Sequence, residues 1–324
     1  MRRREAPEAT NRLLPLAARR CRMYSYLCHP WRPAGASPSR GDAPKEGTIM
    51  KSRRIPFARA VVVLVADLAV PVVSTAAVPT SGLVGAYTMN GSAADSSGRG
   101  HNASTIGVTK TTNRFGAPSR AYYFNGSTSV MTIPDHEDFS VSTTGYLSIS
   151  VWVRPEGSSL NGAGELLFAD TEGSGYVHWM GKGNRSGVNG NREWTFRIYS
   201  ADNSEGRHNR MSFYHFSYDG GLGPGSYVQD PVVRGGWIHL VAIVSKPEHK
   251  IWWYKNAALR DSDGFGPSDS YPIADADLRN GNAAVKLGSQ DDQSYFKGAI
   301  DNLYFYNRKL TAAEITTLYN DRTP

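Results

Sequence analysis

The sequence predicts an all-β fold: two antiparallel sheets packed as a sandwich, with one short C-terminal helix. Three observations predict it. From Gly82 onward, short aromatic and β-branched runs alternate with Gly, Asn, Asp and Ser clusters. Several of those runs are apolar on every second residue, the period of a strand with one buried face. Only one stretch, near the C-terminus, carries a helix start signal.

The elements follow in order. Leu83–Met89 is the first strand. Ala121–Phe124 and Val130–Ile133 flank Asn125-Gly126-Ser127, and Asn-Gly between alternating runs predicts a hairpin. Leu147–Arg154 alternates strictly, with Leu147, Ile149, Val151 and Val153 on one face and Ser148, Ser150, Trp152 and Arg154 opposite. Trp152 on the second face predicts that this face is covered too. Strands follow at Glu165–Ala169, Tyr176–Met180, Glu193–Tyr199 and Met211–Phe216. Trp237–Val244 and Lys250–Lys255 read as a further hairpin, and Ala284–Gly288 and Ala299–Tyr306 complete the set. Thr311-Ala312-Ala313-Glu314 is a capping box, and Ile315 and Leu318 give its helix an apolar side. There is no internal repeat.

The charge is unevenly placed. Residues 1–59 hold 14 of the 36 Lys and Arg but only 4 of the 29 Asp and Glu, so residues 60–324 keep 22 against 25, a net −3. A nucleic-acid partner needs basic charge clustered on the folded domain, and it is not there. Both cysteines, Cys21 and Cys28, also lie in the front segment, so a domain from residue 82 onward has no disulfide and, at that size, needs none.

Met50 opens a secretory leader. Lys51, Arg53 and Arg54 precede a mostly apolar stretch from Ala60 to Val73, and small residues lead to a cleavage point near Ala76 and Ala77. The organisation is therefore an extension over 1–49, outside the folded part, a signal peptide over 50–77 and one domain over 82–324. The expected product is secreted, with no membrane insertion after cleavage.

Five segments carry a family resemblance. They are GLVGAYTMNGSAADSSGRGHNAS from Gly82, YYFNGSTSVMTI at 122–133, LSISVWVRP at 147–155, GGWIHLVAIVS at 235–245 and FKGAIDNLYFYNRKLTAAEITTLYN at 296–320. In this order they resemble bacterial secreted laminin-G-like jelly-roll domains of the concanavalin A-like lectin/glucanase superfamily. The resemblance implies a jelly roll that binds a polysaccharide or other glycan. It also implies a structural Ca2+ between the first turn and the last strand, where Asp95, Asn102 and Asp301 supply hard oxygens.

The long stretch 156–234 holds the candidate ligand site. A sugar site pairs a flat aromatic face with polar groups that satisfy the hydroxyls. Tyr176, His178, Arg197, Tyr199, Arg210, Tyr214 and His215 have that chemistry. By alternation Trp194, Phe196 and Ile198 share the buried face, which leaves Arg197 and Tyr199 to line a concave one. The same set admits a polysaccharide lyase, with His215 or Tyr214 as base and Arg197 neutralising a uronate. A glycosidase needs paired carboxylates, and Glu165 and Glu193 stand alone in the sequence. A protein-adhesion module is a further alternative. Gly220–Gly225 lacks the order of a nucleotide loop and reads as a turn.

Overall fold

A computed structural model of the chain describes residues 77–322 except 171–172, 184–190, 217–223, 229, 233–234, 266–277 and 291. The extension, both cysteines, the leader up to Ala76 and most of the glycine run lie outside the described residues. All described residues belong to one compact unit, Val70–Pro324.

The strands are β1 (Leu83–Tyr87), β2 (Ser104–Ile106), β3 (Thr109–Thr111), β4 (Ala121–Asn125), β5 (Val130–Ile133), β6 (Tyr146–Pro155), β7 (Ser159–Leu160) and β8 (Leu166–Leu167). They continue as β9 (Tyr176–Gly183), β10 (Arg192–Tyr199), β11 (Met211–His215), β12 (Gly225–Tyr227), β13 (Ile238–Ser245), β14 (Lys250–Lys255), β15 (Ala258–Gly264), β16 (Val285–Leu287) and β17 (Lys297–Tyr306). A 3-10 turn, Glu137–Phe139, and helix α1 (Val141–Thr144) precede β6, and helix α2 (Ala312–Asn320) closes the domain.

Two large antiparallel sheets face each other. Sheet A runs β15-β14-β13-β6-β17-β4-β3, with β1 paired to β17; sheet B runs β12-β11-β10-β9-β16-β5-β2. The space between them is filled by a continuous aromatic and aliphatic core, including the fully buried Trp179, Trp194 and Trp253. The edge-on contact of Trp179 with Phe196, at 5.4 Å, and the stacking of Phe213 on Trp253, at 6.3 Å, are packings that aromatic quadrupoles favour.

The β13–β14 hairpin forms as its sequence predicts, from Leu240 opposite Lys255 to Ser245 opposite Lys250. The Asn-Gly hairpin does not. β4 pairs with β17 in sheet A, whereas β5 pairs with β16 and β2 in sheet B. The turn is a corner between sheets. Asn125 holds it by accepting the backbone N–H groups of Ser127, Thr128 and Ser129 through one side-chain oxygen, at 2.8–3.2 Å. This Asx geometry satisfies the turn internally, so the strands need not pair with each other.

The outer face of sheet A is closed by α2. The capping box forms in both directions, with Thr311 Oγ1 accepting Glu314 N–H and Glu314 accepting Thr311 N–H. Ile315 and Leu318 bury against Val241, Ile243, Tyr304 and Tyr306. Trp152 is covered as expected: Tyr319 stacks on it at 5.6 Å and 14°, and His239 lies 5.1 Å away.

Candidate functional site

The outer face of sheet B carries a cleft of about 440 Å³. Its floor follows from strand alternation. Trp194, Phe196 and Ile198 point into the core and are fully buried, so Arg197 and Tyr199 of β10 point outward. Register brings partners to them. Arg197 sits opposite Ser212 of β11, and Tyr199 opposite Tyr176 of β9. Tyr214 and Tyr227 extend the floor toward the edge.

Arg197 is the centre of this arrangement. Its guanidinium lies 4.0 Å from the Tyr176 ring and 4.3 Å from the Tyr214 ring, with Tyr199 at 5.6 Å. Because β9 and β11 lie on either side of β10, the two nearer rings flank the cation from both sides. Nε donates to Ser212 Oγ at 3.2 Å. Among the described residues no carboxylate forms an ion pair with Arg197. A planar cation held between rings keeps its N–H edge for an acceptor.

The rim is mixed in charge. Arg207 lies 4.4 Å over the Tyr227 ring and pairs with Glu205 at 2.9 Å. Glu205 also accepts the Tyr176 hydroxyl. Burial, and then that bond, push the Tyr176 hydroxyl up to about 12, so it stays protonated at neutral pH. On the far side, Asp261 and Asp263 of β15 accept the N–H groups of Tyr227 and Gly225, both at 3.2 Å. Those are the free donors of the sheet's edge strand, which would otherwise invite pairing with another chain. A Cβ on Gly225 would stand 2.4 Å from the Tyr214 ring, so glycine is what lets that ring lie across β12.

Of the seven expected ligand residues, Tyr176, Arg197, Tyr199 and Tyr214 line this cleft. Three do not. His178 stands opposite Arg197 in the β9–β10 register but is buried, 5.8 Å from the Tyr176 ring, and does not reach the cleft. Arg210 turns away, donating to His208 O at 3.0 Å and Asn209 Oδ1 at 2.7 Å. His215 stands directly opposite Trp194 and therefore faces the core. Burial depresses its imidazole to about 4, and Nδ1 contacts Phe216 O at 2.9 Å. The trio His215, Tyr214 and Arg197 is thus split across the two faces of the sheet. A base at His215 does not reach a substrate in the cleft.

Glu193 is not a free carboxylate either. It is buried against the fully buried Lys182 at 2.7 Å, and Lys182 also meets Asp135 at 2.8 Å. Glu165 accepts the side-chain amides of Asn161 and Asn209. Residues missed from sequence are Glu205, Arg207, Ser212, Asp261 and Asp263. The Asp261-x-Asp263 alternation is the one available signal, since it puts two carboxylates on one strand face.

A larger opening of about 580 Å³ adjoins Arg154, Glu156 and the β7–β8 ribbon, but its lining has no aromatic surface. The residues expected to hold Ca2+ do not fit the ion. Asp95 already accepts Ala86 N–H, Ser97 N–H, Ser97 Oγ–H and His101 N–H at 2.8–3.0 Å. Asn102 Oδ1 accepts Asp95 N–H at 2.9 Å. Asp301 pairs with Arg114 at 2.8 Å, and a cation there would have to displace the guanidinium. No hydrogen bond or ion pair among the described residues joins Asp301 to Asp95 or Asn102.

Comparison with known proteins gives the following. The family described as the concanavalin A-like lectin/glucanases superfamily matches residues 124–316. No curated protein matches the chain. Among solved structures, domain 4 of AbnA, a GH43 extracellular arabinanase from Geobacillus stearothermophilus in complex with arabinotriose, is 20% identical with a TM-score of 0.50. That match covers 74% of this chain and 98% of the domain. The binding domain of botulinum neurotoxin DC in complex with SialylT is 14% identical with a TM-score of 0.50, over 74% of this chain and 52% of that one. The same toxin domain in complex with rat synaptotagmin II is 13% identical with a TM-score of 0.52, over 75% and 52%. At these identities the likeness is one of fold.

Proposed function

The chain belongs to the concanavalin A-like lectin/glucanase superfamily, and from that premise we propose that it is a glycan-binding module whose site is the cleft around Arg197. The observation that carries this reading is the guanidinium flanked by Tyr176 and Tyr214 with no carboxylate partner among the described residues. Tyr176 and Tyr227 are only half-buried and offer ring faces to the apolar side of a sugar. Arg207, Glu205 and Ser212 offer partners for hydroxyls, whose desolvation is otherwise costly.

Arg197 sharpens the ligand class to acidic glycans. Its open N–H edge matches a carboxylate in a two-pronged geometry, as on a uronate or sialate. Arabinotriose in one structural neighbour and SialylT in another are in keeping with a glycan ligand, while the toxin domain in complex with synaptotagmin II keeps a protein ligand as the alternative. The leader over 50–77 supports action outside the cell.

The test is titration calorimetry with matched neutral and uronate-bearing oligosaccharides. The acidic ligand is expected to bind at least tenfold more tightly. No binding of either, or equal affinity for both in the native protein and in Arg197→Ala, refutes the reading.

A further inference from the structure

A second constellation lies away from the cleft, where the β1–β2 connection meets the chain leaving β5. His101 Nε2 is 3.0 Å from Asp138 Oδ2, and His136 Nδ1 is 3.3 Å from the same oxygen. One ligand atom from each of the three residues lies within 4.8 Å of the others. A tetrahedral ion with ligand bonds of about 2.0–2.1 Å needs ligand atoms about 3.3 Å apart. Two of the three spacings already match.

Two neighbours compete for one imidazole nitrogen. His136 Nδ1 accepts the backbone N–H of Asp138 at 3.2 Å, so it presents a lone pair. Asp138 Oδ2 faces that same nitrogen. An imidazole nitrogen carries either a lone pair or a hydrogen, so it satisfies only one of these neighbours. A cation between Nδ1 and Oδ2 turns the repulsive pair into shared coordination and leaves the Asp138 N–H, on an exposed turn, to water.

The support is built in. His101 is fixed by its own backbone: its N–H donates to Asp95 and its carbonyl accepts the Tyr87 hydroxyl at 2.7 Å. Its ring packs edge-on against the fully buried Phe139 at 5.1 Å. Both His101 and Asp138 side chains are 11% exposed, whereas His136 is 45% exposed and leaves the site open on one side.

We propose that His101, His136 and Asp138 bind one divalent transition-metal ion of zinc's class, with the remaining position open to solvent. Two imidazoles and one carboxylate select such an ion over Ca2+ or Mg2+, which take oxygen ligands. The ion ties the 95–102 loop to the 135–139 turn. This site does not depend on the glycan reading.

Titration calorimetry with Zn2+ tests it, on the full chain in a Cys21→Ser/Cys28→Ser background so that the two thiols do not compete. One ion per chain is expected. His136→Ala removes an exposed ring and weakens binding at least tenfold, as does Asp138→Asn, which keeps the side chain's size; circular dichroism of the metal-free variants is expected to show the native fold in both. Co2+ gives the visible bands of a four-coordinate site, and they vanish in His136→Ala. Failure to take up Zn2+, or unchanged affinity in both variants, overturns the proposal.

Discussion

The two outer faces of the sandwich each carry an arginine stacked on aromatic rings, and they use it differently. On sheet A, Arg114 lies 4.3 Å from the Phe115 ring and 5.0 Å from that of Trp152. Its Nη1 and Nη2 groups donate to Asp301 Oδ2 at 2.8 Å and Asp321 O at 2.9 Å, and its side chain is 4% exposed under α2. On sheet B, Arg197 has rings at 4.0 and 4.3 Å but, among the described residues, only a serine hydroxyl as hydrogen-bond partner, and a cleft above it. A stacked arginine is therefore not in itself a site. The helix and two aspartates make the first a strut; their lack leaves the second with bonding capacity to give to a ligand.

The largest effect that separates the faces is Arg114→Ala. It strands the buried Asp301, whose carboxyl burial already pushes up to about 6. Removing one partner of a buried pair costs roughly 3–5 kcal/mol. Urea unfolding is expected to show that loss, while glycan affinity in the surviving folded fraction stays native. A parallel loss of affinity contradicts the division between the faces.

Acid acts on the same contrast. Unfolded histidine protonates near 6.5, but burial depresses His215 to about 4 and His239 to about 3. Each contributes stability that is complete above 6.5 and declines as pH falls below it, by roughly 2 kcal/mol at pH 5. Asp301 works oppositely. Raised from 3.8 to about 6, it takes up its proton in the native state first, and returns roughly 1 kcal/mol between pH 7 and 5. Sheet A, with His239 and Asp301, is thus about half compensated, and sheet B, with His215, is not. Stability is expected to fall by roughly 2–3 kcal/mol from pH 7 to 5, and His215→Leu to remove most of the slope. An unchanged slope in that variant places the acid sensitivity elsewhere.

Arg197→Ala reverses the outcome of Arg114→Ala. Hydrogen bonds to a charged group contribute roughly 1.5–3 kcal/mol, so affinity for an acidic glycan is expected to drop about ten- to hundredfold. Unfolding is expected to shift by less than about 1 kcal/mol, because the side chain stands on the outer face. Arg197→Lys keeps the charge without the planar fork and is expected to recover only part of the affinity.

Much of this contrast was legible in sequence, and the reasons differ by element. Strict alternation in Leu147–Arg154 and Glu193–Tyr199 assigned faces to Trp152, Trp194 and Arg197, because period two is a local property of a strand. The capping box at Thr311 is equally local. Pairing is not: Asn125-Gly126 is a turn in either topology, and only distant β16 and β17 decide which sheet each flank joins. β15, with the sequence ALRDSDG, is an edge strand that buries little apolar surface, and so gives no hydrophobic period. Arg114 meets Asp301 across 187 residues, and no spacing rule reaches that far. His215 has the chemistry of a ligand residue but the wrong parity: its neighbour Tyr214 lines the cleft, and adjacent strand residues face opposite ways.

The smallest test concerns Gly225, which has no side chain to contribute and acts only through the space it leaves. In Gly225→Ala the new Cβ meets the Tyr214 ring at 2.4 Å, so the ring must move. Moving it removes one of the two near ring contacts of Arg197 while leaving the guanidinium, Ser212 and Tyr176 untouched. A contact of that kind is worth roughly 0.5–1 kcal/mol at a solvent-facing position. The expected result is therefore a loss in glycan affinity of about two- to fivefold, with the unfolding midpoint nearly unchanged. If Gly225→Ala binds as well as the native protein, Tyr214 does not help to hold Arg197. The open face would then rest on Tyr176 alone, and the likeness between the two stacked arginines would be superficial.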